Sequence, residues 1–163
     1  GKIGDVEDKY FRQSFELNFF SHQNVAKNAV NIMTKQGTGG CLLFNISKQA
    51  INQGLNFGPY GIPKSAALSL MRQYAIDYGS NGIRSNAVNA DRVNTNLFSN
   101  GMLESRAKAR DLSVKQYLSE NNLLKLEVKP KDVAEAFRNL ALSRKTTGAI
   151  YTVDGGNISA APR

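Results

Sequence analysis

Gly58-Pro59-Tyr60-Gly61-Ile62-Pro63-Lys64-Ser65-Ala66-Ala67 is the stretch on which the reading of this chain turns. Tyr60 and Lys64 stand four residues apart at the start of a helix predicted from about Pro59 to Tyr78. Positions i and i+4 share one helix face, about a turn apart. A phenol and an ammonium set this way can act on one bound molecule. Pro63 falls in the first turn, where a missing N–H does little harm. Ala66, Ala67, Leu70, Met71, Tyr74 and Ala75 make the packed face, and Gly79 and Gly82 stop the helix. Alone, a Tyr-x-x-x-Lys pair is close to what chance supplies, and the bland alternative is an amphipathic helix with a polar first turn.

The neighbouring segments supply context. Upstream, Gly37-Thr38-Gly39-Gly40 breaks the chain, and Cys41-Leu42-Leu43-Phe44-Asn45-Ile46-Ser47 follows as a nearly continuous apolar run. That composition predicts a strand buried on both faces, as in a parallel sheet. Residues 48–58 read as a loop. In α/β sheets the carboxyl ends of strands open onto the ligand crevice. Ser47 at such an end, and Tyr60 and Lys64 on the next helix, are therefore expected to converge.

Residues 5–36 read as helical, with Phe11, Phe15, Phe19, Phe20, Val25, Ala26, Ala29, Val30 and Met33 near the helical period and Asp5 as the expected cap. Asn18 interrupts the apolar pattern. It marks a kink or a boundary between two helices, or is simply an exposed or capping amide. Downstream, residues 83–89 predict a second strand and 91–100 a polar loop. Residues 102–110 and 113–120 predict helical segments with basic faces, a candidate mobile flap. Pro130 precedes a helix over 131–143, with Val133, Ala134, Phe137, Leu140 and Ala141 on one face. Ala149 to Val153 predicts a third strand, closed by Asp154-Gly155-Gly156. Alternating helices and strands argue for an α/β fold with a parallel sheet, in a single domain over 1–163.

Composition narrows the function classes. The net charge is +8, which raises nucleic-acid binding. The basic residues are spread along the chain, however, so a solvated surface is the preferred reading, with no nucleic acid as partner. No apolar run approaches the roughly 20 residues of a membrane span. The single cysteine, Cys41, excludes an internal disulfide framework, reads as buried packing, and fits a reducing cytoplasm. His22 is the only histidine. A histidine-based metal site or a Ser-His-Asp triad lacks its parts, and no metal is expected.

The chemistry these residue types suit is proton transfer at an alcohol or carbonyl oxygen. A lysine ammonium about 6 Å from a phenol, at an effective dielectric near 20, favours the phenolate by about 3 kcal/mol. That corresponds to about two pKa units. Tyr60 then gives or takes the proton and Ser47 holds the oxygen. The partner step is hydride transfer, which needs a nicotinamide cofactor because no side chain supplies hydride.

With these pieces in order, the chain resembles the short-chain dehydrogenase/reductase family. The resemblance rests on Asn18, Ser47, Tyr60-x-x-x-Lys64, Ile83-Arg84-Ser85-Asn86-Ala87-Val88, Thr95, and Thr147-Gly148 through Val153-Asp154-Gly155-Gly156. It implies that Tyr60 is the acid/base and that Lys64 activates it and binds the nicotinamide ribose. It further implies that Ser47 orients the substrate and that Asn18 holds a water in a proton relay toward Lys64. Thr95 and the backbone near Val93 would touch the nicotinamide carboxamide. The cofactor would be NAD or NADP, with the choice left open. Within the family, Phe44 to Ala50 and Asn86 to Arg92 are similar to the dehydrogenase part of bifunctional rhamnulose-1-phosphate aldolase/alcohol dehydrogenases. That implies a small lactaldehyde-like substrate. The family also implies a homo-oligomer, dimer or tetramer, through the helices at 10–36 and 59–78.

Three departures from the family pattern stand out. The usual Pro-Gly is Ala90-Asp91, a carboxylate that either alters cofactor geometry or pairs with Arg92. The usual double serine is Ser47-Lys48, so one residue of alignment slack exchanges their places. The Gly-rich turn that seats a pyrophosphate is not found: Gly37 to Gly40 precedes a strand instead of a helix. The expectation is therefore a partial Rossmann-type three-layer sheet, the C-terminal half of a domain, with the cofactor-binding half absent. The strand ending at Ser47 should then have an open edge. Two functional classes follow: a hydride-transferring oxidoreductase, or a non-catalytic remnant or oligomerisation module.

Overall fold

The computed structural model describes residues 1–95, 101–120 and 122–157. The second half of the predicted 91–100 loop lies outside them. A short 3-10 turn at Ile3–Asp5 leads into α1 (Asp8–Phe15), a π-helical turn (Glu16–Phe20) and α2 (Ser21–Gln36). Then come β1 (Gly40–Ser47), α3 (Gly58–Tyr78), β2 (Ile83–Ala90), α4 (Met102–Lys108), α5 (Val114–Ser119), α6 (Pro130–Leu142) and β3 (Ile150–Val153). Asp5 does not cap α1 as expected. Its N–H closes the 3-10 turn onto Lys2, and the extended Val6 separates that turn from the helix.

The three strands form one parallel sheet in the order β1-β2-β3. Its register aligns Ser47 with Ala90 and Ala90 with Val153, so the three carboxyl ends finish level. At the opposite edge, Gly39 (φ 74°) meets Gly82; a Cβ there would stand 2.6 Å from the Gly82 carbonyl oxygen. Only glycine allows the two strands to start that close.

Helices cover both faces. On one side Leu42, Phe44, Ile46, Ile83 and Ala87 pack with Ala26 and Val30 of α2 and Leu68, Met71 and Tyr74 of α3. The Tyr74 hydroxyl donates to Gln23 Oε1 at 3.0 Å, tying α3 to α2. On the other side Leu43, Val88 and Val153 pack with Val133, Ala136, Phe137 and Leu140 of α6. The result is the expected three-layer α/β arrangement. β1 differs in one respect. Leu42, Phe44 and Ile46 are buried, but Leu43 is only partly so and Asn45 is exposed. An outer strand with one helix against that face covers less of it than a central strand would.

β2 is the central strand; within it Ser85, Asn86 and Asn89 are fully buried and Arg84 partly so. Ser85, Asn86 and Arg84 tie it to its neighbours. Ser85 Oγ donates to the Met71 carbonyl at 2.8 Å. Asn86 donates to Thr146 O at 2.9 Å and accepts from Ala149 N at 3.0 Å. Gly148 N donates to Ser85 O at 2.8 Å. These bonds hold the turn that delivers β3. Arg84 donates to the carbonyls of Leu140 and Ala141, at 2.9 and 2.8 Å, and so caps the end of α6. α4 and α5 form a separate small cluster of Leu103, Ala107, Tyr117 and Leu118.

Candidate active site

The site is built at the level carboxyl edge of the sheet. Ser47, the last residue of β1, accepts from Gln49 N at 3.3 Å, which starts a short 3-10 turn. Its hydroxyl lies near enough to the Tyr60 phenol to favour the ionised form of the ring. Tyr60 is in the first turn of α3 and Lys64 one turn on. The structure therefore places Ser47, Tyr60 and Lys64 at one edge of the sheet, with the Ser47 hydroxyl on the side of the phenol.

Electrostatics differ from expectation. Lys64 is buried at 7% exposure and donates to the Asn45 carbonyl at 3.1 Å. Its Nζ lies 5.9 Å from the Tyr60 ring centre. Burial pushes the Lys64 pKa down. The Tyr60 phenol is pushed up, with desolvation the main cause; Ser47 and Arg106 pull it down less and Asp91 adds to the rise. The predicted two-unit depression by Lys64 is not met. The ammonium is directed at β1 and is itself desolvated, so the phenol is held in its neutral form.

Asn18 lies in the middle of the π-helical turn, so the local irregularity expected of it is present. That turn packs on α3. The Asn18 amide is directed into its own helix, toward Ser14 O at 3.1 Å and Ser14 Oγ at 3.3 Å. Val93 and Thr95 follow β2 and so leave the sheet at the same edge as Ser47.

Two groups, His22 and Arg106, were not anticipated as parts of the site, and a third, Asp91, has more partners than expected. His22, on α2, stacks on Phe44 with centroids 6.1 Å apart. Its pKa is lowered by burial and by the Lys64 charge. Asp91 is held by Asn157, whose amide donates at 2.6 Å, and pairs with both Lys48 and Arg92 at 3.8 Å. Asp91 therefore pairs with Arg92 as one reading had it, and with Lys48 as well. Arg106 of α4 stacks over Phe57, 5.6 Å from its centre. The clue for Lys48 and Asp91 was in the sequence, since both are departures from the family pattern, but their pairing appears only once β1 and β2 lie side by side.

The residues present fit a nicotinamide ribose. An ammonium has three donors, and Lys64 uses one on Asn45. Asn89 Oδ1, near the end of β2, is buried without a partner among the described residues. No group of three His, Cys, Asp or Glu suited to a metal ion occurs among the described residues. None of their helices is long and apolar enough to cross a membrane.

Comparison with known proteins adds the following. The profile of the family described as enoyl-(acyl carrier protein) reductase matches residues 1–157. Enoyl-[acyl-carrier-protein] reductase [NADH] 2 of Rhizobium meliloti (strain 1021) is 33% identical over 165 residues, 99% of this chain. The chain spans 58% of that protein's length. Carveol dehydrogenase from Mycobacterium avium, solved in complex with NAD, superposes with a TM-score of 0.87 at 25% identity, over 97% of this chain and 60% of that one. A gluconate 5-dehydrogenase from Burkholderia cenocepacia J2315, in complex with NADP and tartrate, has a TM-score of 0.84 at 22% identity, over 99% of this chain and 61% of that one. At that identity the likeness speaks for the fold alone.

Proposed function

The chain belongs to the short-chain dehydrogenase/reductase family, and on that premise we propose that it carries the proton-transfer centre of an oxidoreductase acting on a small alcohol or carbonyl compound. The observation that carries this reading is the meeting of Tyr60, Ser47 and Lys64 at the carboxyl edge of the sheet. NAD or NADP, when bound, supplies the hydride acceptor or donor. Tyr60, neutral in this setting, suits the reductive direction, in which it donates its proton to the carbonyl oxygen. Ser47 holds that oxygen by a hydrogen bond. Lys64 would hold the nicotinamide ribose with the donors not spent on Asn45, and Thr95 and the backbone near Val93 would touch the carboxamide. Asn18, on the π turn packed against α3, holds a water of the proton relay. A lactaldehyde-like hydroxyaldehyde is the substrate suggested by the sequence likeness of residues 44–50 and 86–92. We read the chain as the catalytic portion of a longer Rossmann-type domain, working in the cytoplasm, where its lone cysteine stays reduced.

The test is a fluorescence titration with NADH and NADPH, run on the chain alone and with the N-terminal half of the Rhizobium relative added. Binding in either arm supports the reading. Binding in neither favours a non-catalytic assembly module. One observation favours that second reading: Leu17, Val25 and Ile32 are 70%, 71% and 57% exposed along α1–α2, with Ile76 of α3 at 75%. Apolar residues so placed fit helix packing against another subunit, which an oligomeric dehydrogenase would share.

A further inference from the structure

The His22 ring lies where α2, α3 and β1 meet. It is half-buried and stacks on Phe44 of β1. It stands four residues, about one helical turn, after Asn18. Lys64 leans toward it from α3. Gly40 N donates to Gly82 O, so Gly40 and every second residue after it turn their backbone groups to β2. Asn45 is out of that phase. Its carbonyl, which holds the Lys64 ammonium at 3.1 Å, faces the outer side of the sheet. α2 packs against this outer strand, and the Lys64 charge is felt at the His22 ring.

Ser21 fixes which ring nitrogen is basic. Its Oγ donates its one hydrogen to the Leu17 carbonyl at 2.6 Å. In its 3.3 Å contact with His22 Nδ1 the hydroxyl can then only accept. Nδ1 therefore carries the hydrogen of the neutral ring, and Nε2 is the bare nitrogen. No hydrogen bond to Nε2 occurs among the described residues. Burial and the Lys64 charge keep the ring neutral near pH 7, so this nitrogen is open to a proton. The other titratable groups nearby do not compete. On α3, the Tyr74 phenol is spent on Gln23. On β1, burial holds the Cys41 thiol above its ordinary pKa. Glu16 of the π turn and Lys27 of α2 are exposed.

We propose that His22 is a proton station of the site, whose Nε2 exchanges protons through water with the Lys64 ammonium. An Nζ–H bond breaks and an Nε2–H bond forms, which leaves a neutral amine and an imidazolium. The half-exposed ring returns the proton to solvent, and the amine regains one from the Tyr60 side. In the reductive direction the same steps run backwards and replace the proton that Tyr60 gives to the carbonyl. Burial lowers the Lys64 pKa, so its proton is given up more readily. The proposal deepens, and rests on, the reading of Tyr60 as the acid/base with Lys64 in its proton path.

The test reads the Lys64 ammonium directly. NMR of the chain with isotope-labelled lysine follows exchange of the Lys64 Nζ hydrogens with water from about pH 5 to 8, in dilute buffer. Loss of the signal in Lys64→Met assigns it. Exchange should step up at the pH where the His22 ring itself titrates. His22→Gln should abolish the step and slow exchange above it by about 10²-fold. Exposed Lys27, on the same helix, should not change. Ser21→Ala removes the acceptor at Nδ1 and lets the ring hydrogen move to Nε2. Exchange should then slow, with the ring nitrogen shifts reporting the tautomer. Amide spectra show whether each variant is folded. A signal too fast to see in the native chain that becomes visible in His22→Gln also supports the proposal. Exchange with no step at the His22 midpoint, exchange unchanged in His22→Gln, or a signal absent from both overturns it. A step found while Tyr60→Phe retains turnover leaves the station standing and removes the acid/base reading. Turnover that needs Tyr60, with no step, does the reverse.

Discussion

The Lys64 ammonium donates to the Asn45 carbonyl at 3.1 Å, so the lysine of the central pair is anchored on β1, not on the phenol. The anchor holds a charge in a desolvated place, and the Lys64 pKa falls below its ordinary 10.5. Between the lowered folded value and 10.5, the unfolded chain binds the proton more readily than the folded one. Stability contributed by this group therefore rises with pH across that window. The check is urea unfolding of the native chain and Lys64→Met at several pH values. Native stability minus variant stability should increase as pH climbs toward 10.5. A flat or falling difference would show that Lys64 is solvated in the folded chain.

Tyr60 shifts the other way. Burial raises its pKa above the ordinary 10.0, so the phenol stays protonated at neutral pH. Ultraviolet titration of the native chain minus that of Tyr60→Phe isolates this one of the six tyrosines. Its midpoint should lie above 10.0, move further up in Arg106→Leu and move down in Asp91→Asn, because those charges act on it in those senses. In the cofactor-competent enzyme, Tyr60→Phe should lower the reductive rate by about 10²–10⁴-fold. Its melting temperature should change little, since the side chain is partly exposed. Retained turnover would remove Tyr60 from the acid/base role.

Asn86 makes a prediction about the scaffold. Its side chain serves Thr146 O and Ala149 N together. Asn86→Leu leaves both backbone groups without that partner in a buried strand, at about 1–3 kcal/mol for each unsatisfied group. Urea unfolding should show a loss of about 2 kcal/mol or more. Asn86→Asp keeps an acceptor for Ala149 N and should lose less if the carboxyl is protonated. A neutral Asn86→Leu would mean that the 146–149 turn is held by other bonds.

The sequence made the elements legible because their signals are local. Apolar periodicity located α2, α3 and α6, glycines marked the ends of α2 and α3, and Ser47 and Tyr60 were placed by strand-end and helix-start logic. The misses are long-range. Lys48 and Asp91 are far apart in the chain and meet only because Ser47 and Ala90 pair in the sheet. Lys64 was expected to act on the phenol, but whether its flexible stem reaches that or the Asn45 carbonyl depends on how β1 lies under α3. The partial exposure of Leu43 and Asn45 likewise depends on which helices cover an outer strand, which an apolar run does not reveal.

His22 was set aside as too solitary for a metal or a triad, yet that solitude makes it a reporter. It is the only histidine, so its ring protons give a single titrating set in an NMR spectrum. Burial against Phe44 lowers its pKa below the ordinary 6.5, and the Lys64 charge lowers it further. Stability from this group is present above 6.5 and is lost as pH falls through the lowered folded value. Lys64→Met removes one of the two causes, so the His22 midpoint should move up toward 6.5 without reaching it. Asn28→Ala, on the exposed side of α2, should leave it unchanged. A midpoint indifferent to Lys64→Met would mean that the lysine head lies too far from α2 for its charge to be felt, and would detach His22 from the site.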